Sequence, residues 1–147
     1  MSMMGRLARA TRAAGGHTVG VIPEALRGRE VADLDADELV VTQNMRERKG
    51  IMDERSDAFL ALPGGIGTLE EFMEVWTAGA LAMHDKPVVA LDPWGDFALL
   101  RAQVDAWIDG GFVGRDSLTR VRWVATVDHA IEALTAPVLP STDSVME

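Results

Sequence analysis

The sequence predicts an α/β protein of Rossmann-like type, with a parallel sheet covered by helices on both faces. Three observations carry that expectation. Apolar runs of about five residues alternate with helical patterns of about a dozen, the signature of strands joined by helical crossovers. One run, Ala58–Leu62, stops at Pro63, passes through three glycines within four residues and re-emerges as a helical pattern, a strand–turn–helix order suited to a ligand at the strand's carboxyl end. At 147 residues the chain suits one domain, taken as residues 1–136, followed by a polar tail from Pro137 onward.

The elements follow in order. Met1–Ala14 reads as a helix stopped by Gly15-Gly16. His17–Ile22 is a strand closed by Pro23, and Glu24–Asp37 a loop with room for a helical turn. Glu38–Thr42 is the second strand, after which Asn44 caps a helix reaching about Ser56. Ala58–Leu62 is the third strand and Thr68 to about Met83 the next helix. Pro87–Leu91 is the fourth strand, Asp92–Asp96 a turn, and Phe97–Asp109 a helix ended by Gly110-Gly111. Val121–Ala125 and Val127–Leu134 supply a last strand and a closing helix.

Composition narrows the function. Without cysteine, thiolate chemistry and Cys-based zinc sites are excluded. No apolar run approaches the roughly 18–20 residues of a membrane span, so the expectation is a cytoplasmic protein with no membrane partner. A formal charge of −9 argues against a nucleic-acid surface. The chain has only two lysines, Lys49 and Lys86, so a phosphate site would draw its positive charge mainly from arginine.

The glycine turn is the best candidate for such a site. A helix N-terminus offers backbone N–H groups at the positive end of its dipole, and absent Cβ atoms allow close approach. Its spacing is neither G-x-G-x-x-G nor the P-loop pattern. Two charges point toward apolar faces. On a 100° wheel of the Asn44–Ser56 helix, Arg48 falls in the apolar stripe between Met52 and Ile51, opposite Glu47, Asp53 and Glu54. An arginine there needs a carboxylate or phosphate partner, and a structural ion pair is the commoner answer. In the helix after the glycine turn, Phe72, Val75, Trp76 and Gly79 form the apolar stripe, with Glu71 on its border. Thr68-x-x-Glu71 is equally a capping box, so a purely structural role competes evenly with a ligand role. His17, His84 and His129 read as structural, and the eight methionines as core filler.

These residues carry a resemblance. Met45-Arg46-Glu47-Arg48-Lys49 followed by Pro63-Gly64-Gly65-Ile66-Gly67-Thr68-Leu69-Glu70-Glu71 resembles the paired signature of the Lonely Guy family, cytokinin riboside 5′-monophosphate phosphoribohydrolases long mislabelled as lysine decarboxylases. The likeness extends from about Ser2 to Leu134 through Gly20-Val21-Ile22-Pro23, Val75-Trp76-Thr77 and His84-Asp85-Lys86-Pro87. It implies a substrate that is a nucleotide 5′-monophosphate, cytokinin riboside monophosphate or AMP, cleaved to the free base and ribose 5-phosphate. It also implies Arg48 and Glu71 as the catalytic pair. Nucleotide contacts would come from Glu30, Lys49, Gly64, Gly65, Ile66, Gly67, Thr68, Leu69 and Glu70. No metal or redox cofactor is implied, and the assembly that the resemblance implies is a homodimer.

The sequence departs from the family in two places. Members usually carry another strand, helix and strand before the region matching Ser2–Gly5, so the expected sheet lacks those strands and the chain is weakly active unless a partner fills the gap. Ala78-Gly79-Ala80 replaces a bulkier triplet, which widens the expected pocket wall near Glu71. Two alternatives stay open: a nucleotide-binding module without turnover, and an enzyme acting on a different nucleotide or on a sugar phosphate.

Overall fold

The computed structural model describes residues 3–28 and 33–136. The expected polar tail from Pro137 and the candidate Glu30 lie outside them. The chain forms two compact units, Met1–Ser56 and Asp57–Glu147.

The first unit contains helix α1 (Met3–Ala13), strand β1 (Val19–Pro23), a single turn of helix α2 (Glu24–Arg27), strand β2 (Glu38–Thr42) and helix α3 (Met45–Arg55). β1 and β2 pair in parallel, with Val19 opposite Glu38 and Pro23 opposite Thr42. A polar clasp ties the entry of the sheet to α1. Arg12 donates two hydrogen bonds to Asp33, at 2.9 and 3.1 Å, and a third to Thr18 Oγ1 at 3.0 Å. Thr18 in turn gives both its N–H and its hydroxyl to Asp37 Oδ2 at 2.8 Å. These bonds hold the Asp33 and Asp37 carboxyls below the ordinary carboxylate range, the Arg12 fork being the main cause for Asp33 and the Thr18 N–H for Asp37.

The second unit is a three-stranded parallel sheet in the order β3–β4–β5, from strands Phe59–Ala61, Val88–Leu91 and Val121–Val124. Helices α4 (Ile66–Ala80), α5 (Ala98–Asp109) and α6 (Val127–Thr135) alternate with them, and a 3₁₀ segment, Arg115–Arg120, precedes β5. The central strand is apolar on both faces and is accordingly buried on both. Val88 and Ala90 join Phe72, Trp76, Phe97, Val104 and Val121 in the main core, while Val89 packs with Ala130 and Ala133 of α6. Phe72, Trp76, Phe97 and Trp123 form an aromatic cluster, in which Phe72 meets Trp123 edge-on at 5.7 Å and Trp76 anchors its indole N–H on Ser117 O at 2.7 Å. All three strand pairs are parallel, and β3–β4 and β4–β5 are joined through helices, as the alternation predicts. The strands fall into two hydrogen-bonded sets, one per unit, where a single sheet was the expectation.

Candidate functional site

In the first unit the relevant element is α3, whose start is fixed locally. Asn44 is extended and its side chain accepts the Glu47 N–H at 3.0 Å, while Glu47 Oε2 accepts the Gln43 N–H at 2.7 Å. That cap sets the rotation of the helix, and the one buried residue it then presents is Arg48, at 9% exposure. Arg46 and Glu47 stay exposed and Lys49 is half-buried. The Arg48 Nε–H donates to Val21 O at 2.9 Å. This acceptor follows from the ladder. Thr18 O takes the Glu38 N–H, and alternate residues of a parallel strand address opposite neighbours, so the Val21 carbonyl lies on the edge of β1 turned away from β2. Arg48 thus satisfies a backbone acceptor that β2 leaves open. The wheel placed it on the core-facing side, and the structure adds this carbonyl partner.

In the second unit the chain leaves β3 through Leu62-Pro63 and enters the glycine turn. Here the local expectation needs correction: α4 opens at Ile66, with Gly65 as its N-cap at φ −91°, ψ −157°. Thr68 is therefore the third residue of the helix and not its cap, so the Thr68–Glu71 capping box does not form. Gly65 has no side chain, and no side-chain hydrogen bond caps this end. The intrahelical ladder begins with Leu69 N–H on Gly65 O at 3.1 Å, leaving the N–H groups of Ile66, Gly67 and Thr68 as the first-turn donors.

The three glycines differ in what requires them. A Cβ on Gly64 would sit 2.1 Å from Thr68 Oγ1 and 3.0 Å from Thr68 Cβ, so the fold itself needs glycine there. A Cβ on Gly65 or Gly67 would meet nothing within 4 Å, and neither has a positive φ. Ile66 between them is 86% exposed. Leu69 packs against the core, Glu70 is exposed and Glu71 is half-buried on the border, beside buried Phe72.

Other residues settle into structural places. His84 accepts the Lys86 N–H at Nδ1 (3.1 Å), so its Nε2 carries the hydrogen and donates to Val75 O at 2.9 Å. Gly79 lies against that ring, where a Cβ would come within 3.2 Å of Cε1. The glycine expected to widen the pocket wall instead makes room for His84. One feature escaped the sequence reading: Asp92, at the end of β4, has a buried Oδ1 without a partner among the described residues. No helix among them is long and apolar enough to cross a membrane, and no cluster of three or more His, Asp or Glu is arranged to hold a metal.

Fold and turn together define a class: a parallel α/β protein whose glycine-opened helix begins at the carboxyl edge of a strand. Residues 4–134 match the model of the family described as possible lysine decarboxylase. The chain is 53% identical over 133 residues to the cytokinin riboside 5′-monophosphate phosphoribohydrolase of Mycobacterium marinum, covering 90% of this chain and 71% of that relative. The Mycobacterium tuberculosis protein of the same name gives the same identity and coverage. A protein of that name from Rhodococcoides fascians is 39% identical over 138 residues, 93% of this chain and 70% of its own. The chain belongs to this family, known as Lonely Guy.

Proposed function

We propose that the protein hydrolyses the N-glycosidic bond of a nucleoside 5′-monophosphate, a cytokinin riboside monophosphate or AMP, releasing the free base and ribose 5-phosphate. The observation that carries the reading is that the phosphoribohydrolase relatives match over 133 residues, within which a helix end without a side-chain cap and two glycines with open space above them stand together. In this reading the 5′-phosphate takes the N–H groups of Ile66, Gly67 and Thr68, stabilised by the α4 dipole. The Glu71 carboxylate serves the anomeric carbon, either against the oxocarbenium charge or by taking a proton from the attacking water. The water oxygen bonds to C1′, the bond to the base nitrogen breaks, and a proton goes to the departing base. The family likeness assigns Arg48 and Lys49 to the balance of ligand charge, with Leu69 and Glu70 as further contacts.

The test is chromatography of products after incubation with AMP and with isopentenyladenosine monophosphate. Free base and ribose 5-phosphate in equal amounts are expected, and Glu71→Gln abolishes their release while keeping the wild-type melting temperature. Nucleotide binding with no base release would instead leave a binding module. The reading includes a homodimer acting in the cytoplasm. The exposed Leu81 and Met83 after α4 support an apolar contact surface, and sedimentation of the wild type against Leu81→Ser checks it.

A further inference from the structure

Asp92 follows the last residue of β4, and the ladder fixes its place. Its N–H donates to Val124 O at 2.7 Å, so the extended chain runs one residue past the strand. Side chains alternate between the faces of a sheet. Val88 and Ala90 face the core shared with Phe72 and Trp76 of α4, while Val89 and Leu91 pack with α6. Asp92 therefore continues the α4 face. There its Oδ2 accepts, at 3.4 Å, the N–H of Phe97, another member of that core. β3 and β4 pair with Ala61 opposite Ala90. Carried two residues on, that register sets Asp92 opposite Pro63, the residue before Gly64. The carboxylate thus lies at the carboxyl edge, on the face where α4 opens and beside the turn that carries its first donors. The fold uses one oxygen of this group, for the Phe97 N–H, and an amide oxygen would serve as well. The other, Oδ1, is buried without a partner among the described residues. A buried acceptor without a donor is destabilising, and a charged one more so.

We propose that Asp92 is a further substrate-binding residue, its carboxylate accepting a hydrogen bond from a ribose hydroxyl of the nucleotide. This rests on the hydrolase reading and deepens it by giving the sugar a partner. With the 5′-phosphate on the N–H groups of the glycine turn, the ribose is the next group along the ligand, and its 2′- and 3′-hydroxyls are its donors. The phosphate, as a dianion, only accepts and carries like charge, so Asp92 is no part of its site. The Asp92 side chain is half-buried, and its bond to Phe97 is at the long end of the hydrogen-bond range. Rotation about Cβ–Cγ, a soft torsion, brings the second oxygen to the hydroxyl while the first keeps the Phe97 N–H.

The experiment measures kcat/KM for AMP, 2′-deoxy-AMP and 3′-deoxy-AMP in the wild type, Asp92→Asn and Asp92→Ala. Each variant is compared with the wild type on the same substrate, which cancels differences in the intrinsic lability of the bond. Asparagine keeps an acceptor for the Phe97 N–H and makes the bond to the sugar neutral. AMP should then lose about fivefold more than the analogue that lacks the contacted hydroxyl. Alanine removes the bond, and the same difference should reach about tenfold or more. The other analogue keeps that hydroxyl and should follow AMP. An equal response of all three substrates, which a merely structural turn residue gives, overturns the proposal, and so does no response at all. Dissociation constants of the same nucleotides, read by calorimetry, separate this failure from failure of the hydrolase reading. Binding that shows the pattern without turnover sinks the hydrolase reading alone. Turnover with a uniform response sinks this one alone.

Discussion

The glycine turn makes a prediction in which stability and activity move in opposite directions. Gly65 is the N-cap of α4 and is extended, a conformation any residue adopts, and a side chain placed there meets nothing within 4 Å. Serine at that position reaches the N–H of the second or third helical residue, here Gly67 or Thr68. Gly65→Ser is therefore expected to stabilise the fold by a few tenths of a kcal/mol. Gly67→Ala, at the second residue of the helix, gains part of the roughly 1 kcal/mol propensity difference between alanine and glycine. For a chain of this size that amounts to a rise of about 2–4 °C in melting temperature at most.

Both variants nonetheless fill the space or occupy the donors that the proposed phosphate site requires. Base release from AMP should fall at least about tenfold in kcat/KM, equivalent to about 1.4 kcal/mol of lost transition-state binding. Gly64→Ala is the contrasting control. Its Cβ lands 2.1 Å from Thr68 Oγ1, so the turn must shift, at the roughly 1–3 kcal/mol of an overpacked site. Adding Thr68→Ala should recover part of that loss, since the two positions are in contact and their effects do not add. The measurements are urea or thermal melts alongside adenine release. If Gly65→Ser or Gly67→Ala keeps wild-type activity, the helix end holds no phosphate. If either destabilises the protein by more than about 1 kcal/mol, those glycines serve the fold and the argument fails.

Three further outcomes follow from named contacts. Arg48→Ala removes the donor to Val21 O as well as the charge, so it should cost about 1–3 kcal/mol in addition to activity, and Arg48→Lys, which keeps charge but not the planar fork, is the cleaner variant for kinetics. Acid should unfold the first unit early: Asp33, Asp37 and Glu38 have folded pKa values held below their unfolded ones, so their stabilisation is complete above the unfolded values and is lost as pH falls below about 4. Asp33→Asn should flatten that acid slope in a pH series of thermal melts, and an unchanged slope would refute the assignment. Ala82 sits at φ +55° just past α4, where Met83 N–H on Ala78 O and Ala82 N–H on Gly79 O complete a Schellman end, so Ala82→Gly should stabilise the protein by about 1 kcal/mol in a chemical melt.

What was legible in the sequence was what neighbouring residues decide between themselves. Asn44 accepts the N–H of Glu47 three residues on, so the start of α3 was legible from the cap residue, and the helical wheel put Arg48 on the inward face. Phe72, Trp76 and Gly79 fell on one helical stripe and are the three buried residues of α4. The misread features depend on partners distant in sequence or on poor local propensity. Glycine is a weak helix former, so the turn Ile66–Gly67 looked like loop, and the helix start was assigned two residues late. The 3₁₀ segment Arg115–Arg120 has no apolar period to announce it.

The Val21 carbonyl needed the strand register before it could be seen as an open acceptor, and no helical wheel contains that information. The same distinction separates the glycines that matter. Gly79 is there for His84, a contact across the loop that only the fold reveals, and Gly64 is there for Thr68. Gly65 and Gly67 touch no side chain that would exclude a Cβ, and neither backbone conformation requires glycine. A helix that starts with two glycines, against its own propensity and without a side-chain cap, forgoes stability that Gly65→Ser and Gly67→Ala would restore. The proposed ligand, bonded to those N–H groups, would account for both positions at once, which is why the glycine variants test the site more sharply than removal of either charge.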